Sequence, residues 1–256
     1  MDAIKVLDHG YVRFIEAYGH GDAGLDPNGS NLSELQDYEC GIIETARQST
    51  QGSFRGWEED ERLLRFLYSN KPPHATPFEF AGLIIEVQAP IFIFREWHRH
   101  RTQSYNEMSA RYAPLPDLNY VPTKARCFLT STKNKQAGTV KGAEDLTDDY
   151  AEEFIRELQF MYERQEEFYQ KWLGRGVPKE LARIELPVGR YSKMRANANL
   201  RNWLAFITLR ADPGAMWEIQ QFADAIGVIL ESKFPRTWKL YVAGRNPSTP
   251  SGKGVV

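Results

Sequence analysis

The sequence predicts a single α+β domain, and three observations predict it. Segments with the helical period of about 3.6 residues are separated by runs rich in β-branched and aromatic residues. The chain has 256 residues with 42% hydrophobic and 26% charged content, ordinary for one globular unit with a sizeable core. No repeat, low-complexity tract or charge block marks a second domain. The only candidate dinucleotide fingerprint, Gly19-His20-Gly21-Asp22-Ala23-Gly24, is followed by Pro27 and Asn28-Gly29 where the obligatory helix should run, so a Rossmann unit is not expected.

Taken in order, residues 4–17 mix β-branched and aromatic positions and suggest one or two strands. Residues 31–49 read as an amphipathic helix through Leu32, Leu35, Tyr38, Ile42 and Ile43, and residues 59–68 repeat the pattern with Leu63, Leu64 and Leu67. Residues 78–87 form a strand ended by Pro90, which also suits the first turn of a short helix over residues 91–98. Residues 117–142 lack steady periodicity and read as a surface connection with room for one short strand.

A long helix comes next over residues 146–173, carried by Tyr150, Phe154, Leu158, Met161, Tyr162, Phe168 and Trp172 and closed by Gly174 and Gly176. Pro178 opens a helix that Pro187 stops, and a strand runs on to about Arg195. Asn197 or Asn199 can cap the next helix, ending at Arg210. Asp212 and Pro213 open a last helix that Phe234-Pro235 ends, and a Pro, Ser and Gly-rich tail from Gly244 is expected to be mobile.

Charge narrows the function classes. A net charge of -2 opposes a protein that coats nucleic acid, which needs clustered cations to displace phosphate counterions. Two cysteines, Cys40 and Cys127, make neither a disulfide framework nor a paired zinc site, and with no signal-like start and no membrane-length apolar stretch they lead to the expectation of a cytoplasmic protein.

Residues 95–112, Arg-Glu-Trp-His-Arg-His-Arg-Thr-Gln-Ser-Tyr-Asn-Glu-Met-Ser-Ala-Arg-Tyr, obey neither structural period. Guanidinium forks beside hydroxyls and amides suit a phosphate-bearing nucleotide. On composition alone, a solvated face in which Glu96 and Glu107 neutralise arginines accounts for the run as well as a binding site does. His98 and His100 lack a third nearby ligand and make a poor metal site.

Arg99-His100-Arg101, seven further residues and then Ser109 resemble the signature of the flavin-dependent thymidylate synthase family. The resemblance extends to Ser104-Tyr105-Asn106-Glu107, Arg111-Tyr112, His74-Ala75-Thr76-Pro77-Phe78-Glu79 and Ala89-Pro90-Ile91-Phe92. Downstream it continues through Val177-Pro178, Ala182-Arg183, Leu186-Pro187, Asn199, Arg201 and the stretch from Leu209 to Gln220.

The resemblance implies a central, mostly antiparallel sheet flanked by helices over residues 1–243, assembled as a homotetramer with FAD at subunit interfaces. It implies conversion of dUMP to dTMP, with 5,10-methylenetetrahydrofolate as carbon donor, NADPH as reductant, and neither nucleic acid nor membrane as partner. By similarity Ser49, His74, Thr76, Glu79, Arg99, His100, Arg101, Glu107, Asn199 and Arg201 contact FAD. The nucleotide is held by Glu96, Trp97, His98, Arg99, Glu107, Met108, Ser109, Ala110, Arg111, Arg183 and Arg210, and Arg210 ionises the pyrimidine.

Two positions depart from the family pattern: Glu96 stands in place of Gln and Ala205 in place of Asn. A carboxylate at position 96 accepts from uracil or ribose, or pairs with an arginine, whereas Ala205 removes an amide from the flavin's side. Neither cysteine lies in a motif that would lower its pKa, so a thiolate nucleophile is not expected.

Overall fold

A computed structural model of the chain describes residues 2–21, 37–131 and 137–245. The helix expected over residues 31–49 is described only from Asp37 on, and the tail from residue 246 lies outside the described residues, as do Asp22-Ala23-Gly24 of the candidate fingerprint and the Pro27 and Asn28-Gly29 that follow it.

Five strands make one antiparallel sheet: β1 (Ile4–Val6), β2 (Gly10–Tyr18), β3 (Gly82–Pro90), β4 (Ser104–Glu107) and β5 (Tyr191–Asn199), in the order β1-β2-β3-β5-β4. The central pair sets the inner face. Leu83 faces Ala198, Ile85 faces Ala196 and Val87 faces Met194, all buried, so strand alternation puts one apolar row under the helices. Glu86 and its partner Arg195 lie on the opposite, polar face, where Tyr11 and Arg13 donate to Glu86. Glu86 consequently keeps a pKa below the usual carboxylate value, because these donors and charges outweigh its partial burial.

The helices are α1 (Cys40–Arg47), α2 (Trp57–Ser69), α3 (Ile91–Trp97), α4 (Lys124–Cys127), α5 (Asp148–Gly174), α6 (Lys179–Ala182), α7 (Leu200–Arg210), α8 (Trp217–Lys233) and α9 (Pro235–Gly244). Helices α7 and α8 cover the inner face, and Trp97, Trp203, Phe206 and Phe222 form a fully buried aromatic cluster where α3 meets them. The Trp203 Nε1–H donates to the Leu83 carbonyl at 2.9 Å, so the largest apolar side chain on α7 buries no unpaired donor.

Three expectations change. Pro235 ends one helix and opens another, because α9 starts at that residue, where a missing N–H leaves nothing unsatisfied. Asp212 does not begin α8: its Oδ1 accepts from the Gly214 N–H at 2.7 Å, which holds a turn, and α8 starts at Trp217. Among its described residues, the connection over residues 117–142 pairs in extended form only at the Asn119 to Arg190 bridge, and it also carries an unexpected helical turn, α4, capped by the Thr123 side chain.

Helix α5 is the outlier in exposure. Only Ala151 and Tyr169 of its 27 residues are buried, while Tyr150, Phe154, Phe160, Met161 and Phe168 are exposed. A helix with this much apolar surface uncovered is unusual for a surface element.

Candidate functional site

Pro90 and Ile91 start α3, whose Ile93, Phe94 and Trp97 face the core and leave Arg95 and His98 exposed. The chain then coils past the helix end, with backbone N–H groups of Arg99 and His100 donating to Glu96 and Trp97 carbonyls. Side chains hold the next residues. The Trp97 Nε1–H donates to Gln103 Oε1 at 3.1 Å, the Tyr105 hydroxyl donates to the His100 carbonyl at 2.7 Å, and Asn202 Nδ2 donates to the Thr102 carbonyl at 3.1 Å. The segment 98–103 therefore lies along α7, pinned from three sides.

Arg210, the last residue of α7, closes the site from that helix. Its Nε donates to His100 Nε2 at 2.9 Å, Nη1 to Glu96 Oε2 at 3.0 Å and Nη2 to the Glu96 carbonyl at 3.0 Å. All three guanidinium nitrogens are engaged, which fixes the plane of the fork and leaves one N–H on each Nη for a ligand. A cation here also suits the helix C-terminus. Glu96 pairs with an arginine here, one of the two roles open to its carboxylate.

His100 accepts from Arg210 at Nε2, so its proton sits on Nδ1. Burial against Phe206, and next the charge of Arg210, hold its pKa down from 6.5 to about 4. A folded-state pKa below the unfolded value gives stability that is complete above pH about 6.5 and is lost as the pH falls toward 4. That loss should reach about 3 kcal/mol. Urea denaturation across this range should therefore show a shallower acid limb for His100→Gln, whose amide oxygen still accepts from Arg210; an unchanged limb would refute the assignment. The same hydrogen bond takes the His100 Nε2 lone pair away from any metal, and no metal-holding cluster occurs among the described residues.

Two further groups of expected site residues form apart from this one. Arg201 pairs with Glu79, while Asn199 caps α7 by accepting from the Asn202 N–H at 2.9 Å. Arg111 pairs with Glu180 at 3.0 Å, and Arg183 comes directly after α6, so these two arginines share a neighbourhood. The Ser109 Oγ accepts from the Arg111 N–H at 3.3 Å, and the Met108 N–H donates to the Lys193 carbonyl, extending the β4–β5 ladder. Asn202 links the first of these groups to the signature segment, since its N–H is taken by Asn199 and its side-chain amide by the Thr102 carbonyl.

The other expected residues lie nearer the surface or in the core. Arg99, Arg101, His74, Thr76, His98 and Glu107 are exposed, with His98 stacked on Phe94 and the His74 ring edge-on to Phe66. Exposed Ser49 bonds the Ala46 carbonyl within its own turn. The Trp97 ring is fully buried and Ala110 nearly so; their side chains belong to the core, leaving only main-chain atoms for a ligand. Ala205 is exposed on α7. Sequence reasoning missed Gln103, Asn202 and Glu180 as partners; Gln103 lies within the signature segment, but no local pattern signals the other two.

Cys40 is a poor nucleophile. Burial first, and then the nearby Asp37 charge, push the Cys40 thiol up to about 12. Cys127 lies on α4, outside the group around Arg210, with its Sγ 3.6 Å from the Thr123 carbonyl.

An antiparallel sheet backed by α7 and α8, with an arginine, a carboxylate and a neutral imidazole gathered at a helix end, has the layout of an enzyme. The family model described as thymidylate synthase complementing protein matches residues 32–236. Flavin-dependent thymidylate synthases from Thermosipho melanesiensis and Thermotoga neapolitana are 34% and 31% identical, covering 93% of this chain and 93% and 94% of theirs. The crystal structure of a UMP/dUMP methylase, PolB from Streptomyces cacaoi bound with 5-Br dUMP, superposes with a TM-score of 0.74 at 27% identity, covering 94% of this chain and 97% of that one. The chain belongs to the flavin-dependent thymidylate synthase family.

Proposed function

We propose that the protein converts dUMP to dTMP, taking the carbon from 5,10-methylenetetrahydrofolate and reducing equivalents from NADPH, with FAD as the hydride carrier and tetrahydrofolate as product. One observation carries the reading beyond family membership: Arg210 is held on all three nitrogens with one N–H on each Nη to spare, in a chain whose Cys40 thiol is held protonated by burial and whose Cys127 lies on α4, outside the Arg210 group. Making C5 of uracil nucleophilic without a thiolate at C6 requires electrophilic stabilisation of negative charge at N3 and the carbonyls. A guanidinium supplies that stabilisation while staying protonated at every working pH.

The donor chemistry fits a flavin dinucleotide. Arg99 and Arg101 are exposed and have no carboxylate partner among the described residues, leaving two cations for a pyrophosphate; Ser49, His74, Thr76, Glu79, His100, Glu107, Asn199 and Arg201 complete the proposed flavin set. When bound, FAD supplies the redox chemistry that no amino-acid side chain can. Glu96, Trp97, His98, Arg99 and Glu107 through Arg111, with Arg183 and Arg210, hold the nucleotide.

Assembly as a homotetramer belongs to the same reading. Its support is the exposed apolar face of α5, which a second chain would cover. A cytoplasmic location agrees with two free cysteines, and no described helix is long and apolar enough to cross a membrane.

The test is direct. Protein incubated with FAD and freed of unbound cofactor should keep the flavin absorption, and should form dTMP from dUMP when methylenetetrahydrofolate and NADPH are supplied. A colourless protein would sink the proposal. UMP run in parallel reads whether the site admits a 2′-hydroxyl. Cys127→Ala should turn over normally, and loss of turnover there would reinstate a thiolate mechanism.

A further inference from the structure

We propose that Glu96 is a positioning residue whose carboxylate holds Arg210 in place and, by its charge, keeps ionisation of the bound pyrimidine at a higher pH than the arginine alone would set. This rests on the reading of Arg210 as the group that ionises the pyrimidine.

Glu96 meets Arg210 twice: Oε2 accepts from Nη1 and the main-chain carbonyl from Nη2, each at 3.0 Å. The two contacts and the His100 bond define one orientation of the guanidinium. The carboxylate, however, adds a negative charge beside the cation that must stabilise a developing anion. Like charges oppose each other, so the free energy of placing negative charge on the pyrimidine rises while Glu96 is ionised. A glutamine at this position, the residue that the family pattern carries, keeps an oxygen acceptor for Nη1 and removes the charge.

The cations of the same segment, Arg99 and Arg101, are exposed and have no carboxylate partner among the described residues, and they act alike in every Glu96 variant, so the comparison between variants isolates the Glu96 charge. His100 is neutral near pH 7 and adds no charge. Asp212, two residues beyond Arg210, is exposed with Oδ1 engaged by the Gly214 N–H. Among elements packed on α7, α8 carries Glu218, neutralised by Arg126, and the turn at Thr76–Glu79 carries Glu79, paired with Arg201 at the far end of α7. On the strands beneath, Glu86 and Arg195 face away from α7 on the polar side of the sheet. Glu96 is the carboxylate in direct contact with the Arg210 guanidinium among the described residues.

The experiment uses the FAD-loaded protein with dUMP carrying 13C at C4, whose chemical shift reports ionisation at N3. For a charge several ångströms away at intermediate effective dielectric, Glu96→Gln should lower the midpoint of the bound nucleotide by about one pH unit. Glu96→Asp, which keeps the charge, should stay near the unaltered protein. Glu96→Ala gives a second neutral variant with the same expected direction, and flavin content certifies each variant before titration. An unmoved or raised midpoint in Glu96→Gln, or an equal shift in Glu96→Asp, would overturn the role of charge. If dUMP bound to the unaltered protein titrates as free dUMP does, the reading of Arg210 fails, and this proposal with it.

Discussion

Arg210→Ala should abolish exchange of the C5 hydrogen of dUMP and with it dTMP formation, lowering the rate by about 10²–10³ or more. The magnitude comes from the position of the guanidinium. Arg210 is the one side chain that is at once permanently charged, held at three nitrogens by Glu96 and His100, and placed at the end of a helix whose other face is locked in the core. Stabilisation of a pyrimidine anion by such a group costs no reorganisation when the charge develops, because the fork already points one way. Arg210→Lys should recover little, since an ammonium on a flexible stem cannot reproduce the contacts to Glu96 and His100 together. Fold stability should change by only about 1 kcal/mol, through the lost helix-end charge and side-chain packing. Hydrogen exchange at C5, measured on flavin-loaded protein, separates the two effects; normal exchange by Arg210→Ala would remove the residue from the mechanism.

The parts of this site legible in sequence are those whose physics is local. Asn199 caps α7 as its residue type predicts, and Pro90 stands at the start of α3 because its fixed φ suits a helix entrance. Proline is ambiguous in the same way at position 235, where an expected stop proves also to be a start. Strand β4 gives no alternating signal because it lies at the sheet edge, with Ser104, Asn106 and Glu107 all exposed and Tyr105 alone turned inward against the segment it pins. The family resemblance points to Arg210 and to the signature segment, but neither shows that Glu96 and Arg210, 114 residues apart, form one unit. That contact depends on how α3 and α7 pack against the aromatic cluster, a tertiary outcome that no period or cap encodes.

A large stability effect should come from a buried charge on α8. Glu218 on α8 is almost fully buried, and Arg126 on α4 grips it with Nε to Oε1 at 2.7 Å and Nη2 to Oε2 at 3.1 Å, while the Tyr120 hydroxyl donates to Oε1 at 3.0 Å. This triad fastens the connection between β4 and α5 to the core. Burial first, then the neighbouring Glu218 carboxylate, drive the Tyr120 hydroxyl's pKa upward, so it remains a donor at every working pH. Arg126→Ala removes two charge-assisted bonds and strands a carboxylate away from water, which should cost about 3–5 kcal/mol. The cost belongs to the orphaned charge and not to the pair itself. Removing both partners, as in Arg126→Met with Glu218→Leu, should therefore recover most of the loss, giving a large coupling in a double-mutant cycle measured by urea denaturation. Simple additivity of the two substitutions would show instead that water reaches Glu218 once the arginine is gone, and that the connection is held to α8 by its apolar contacts.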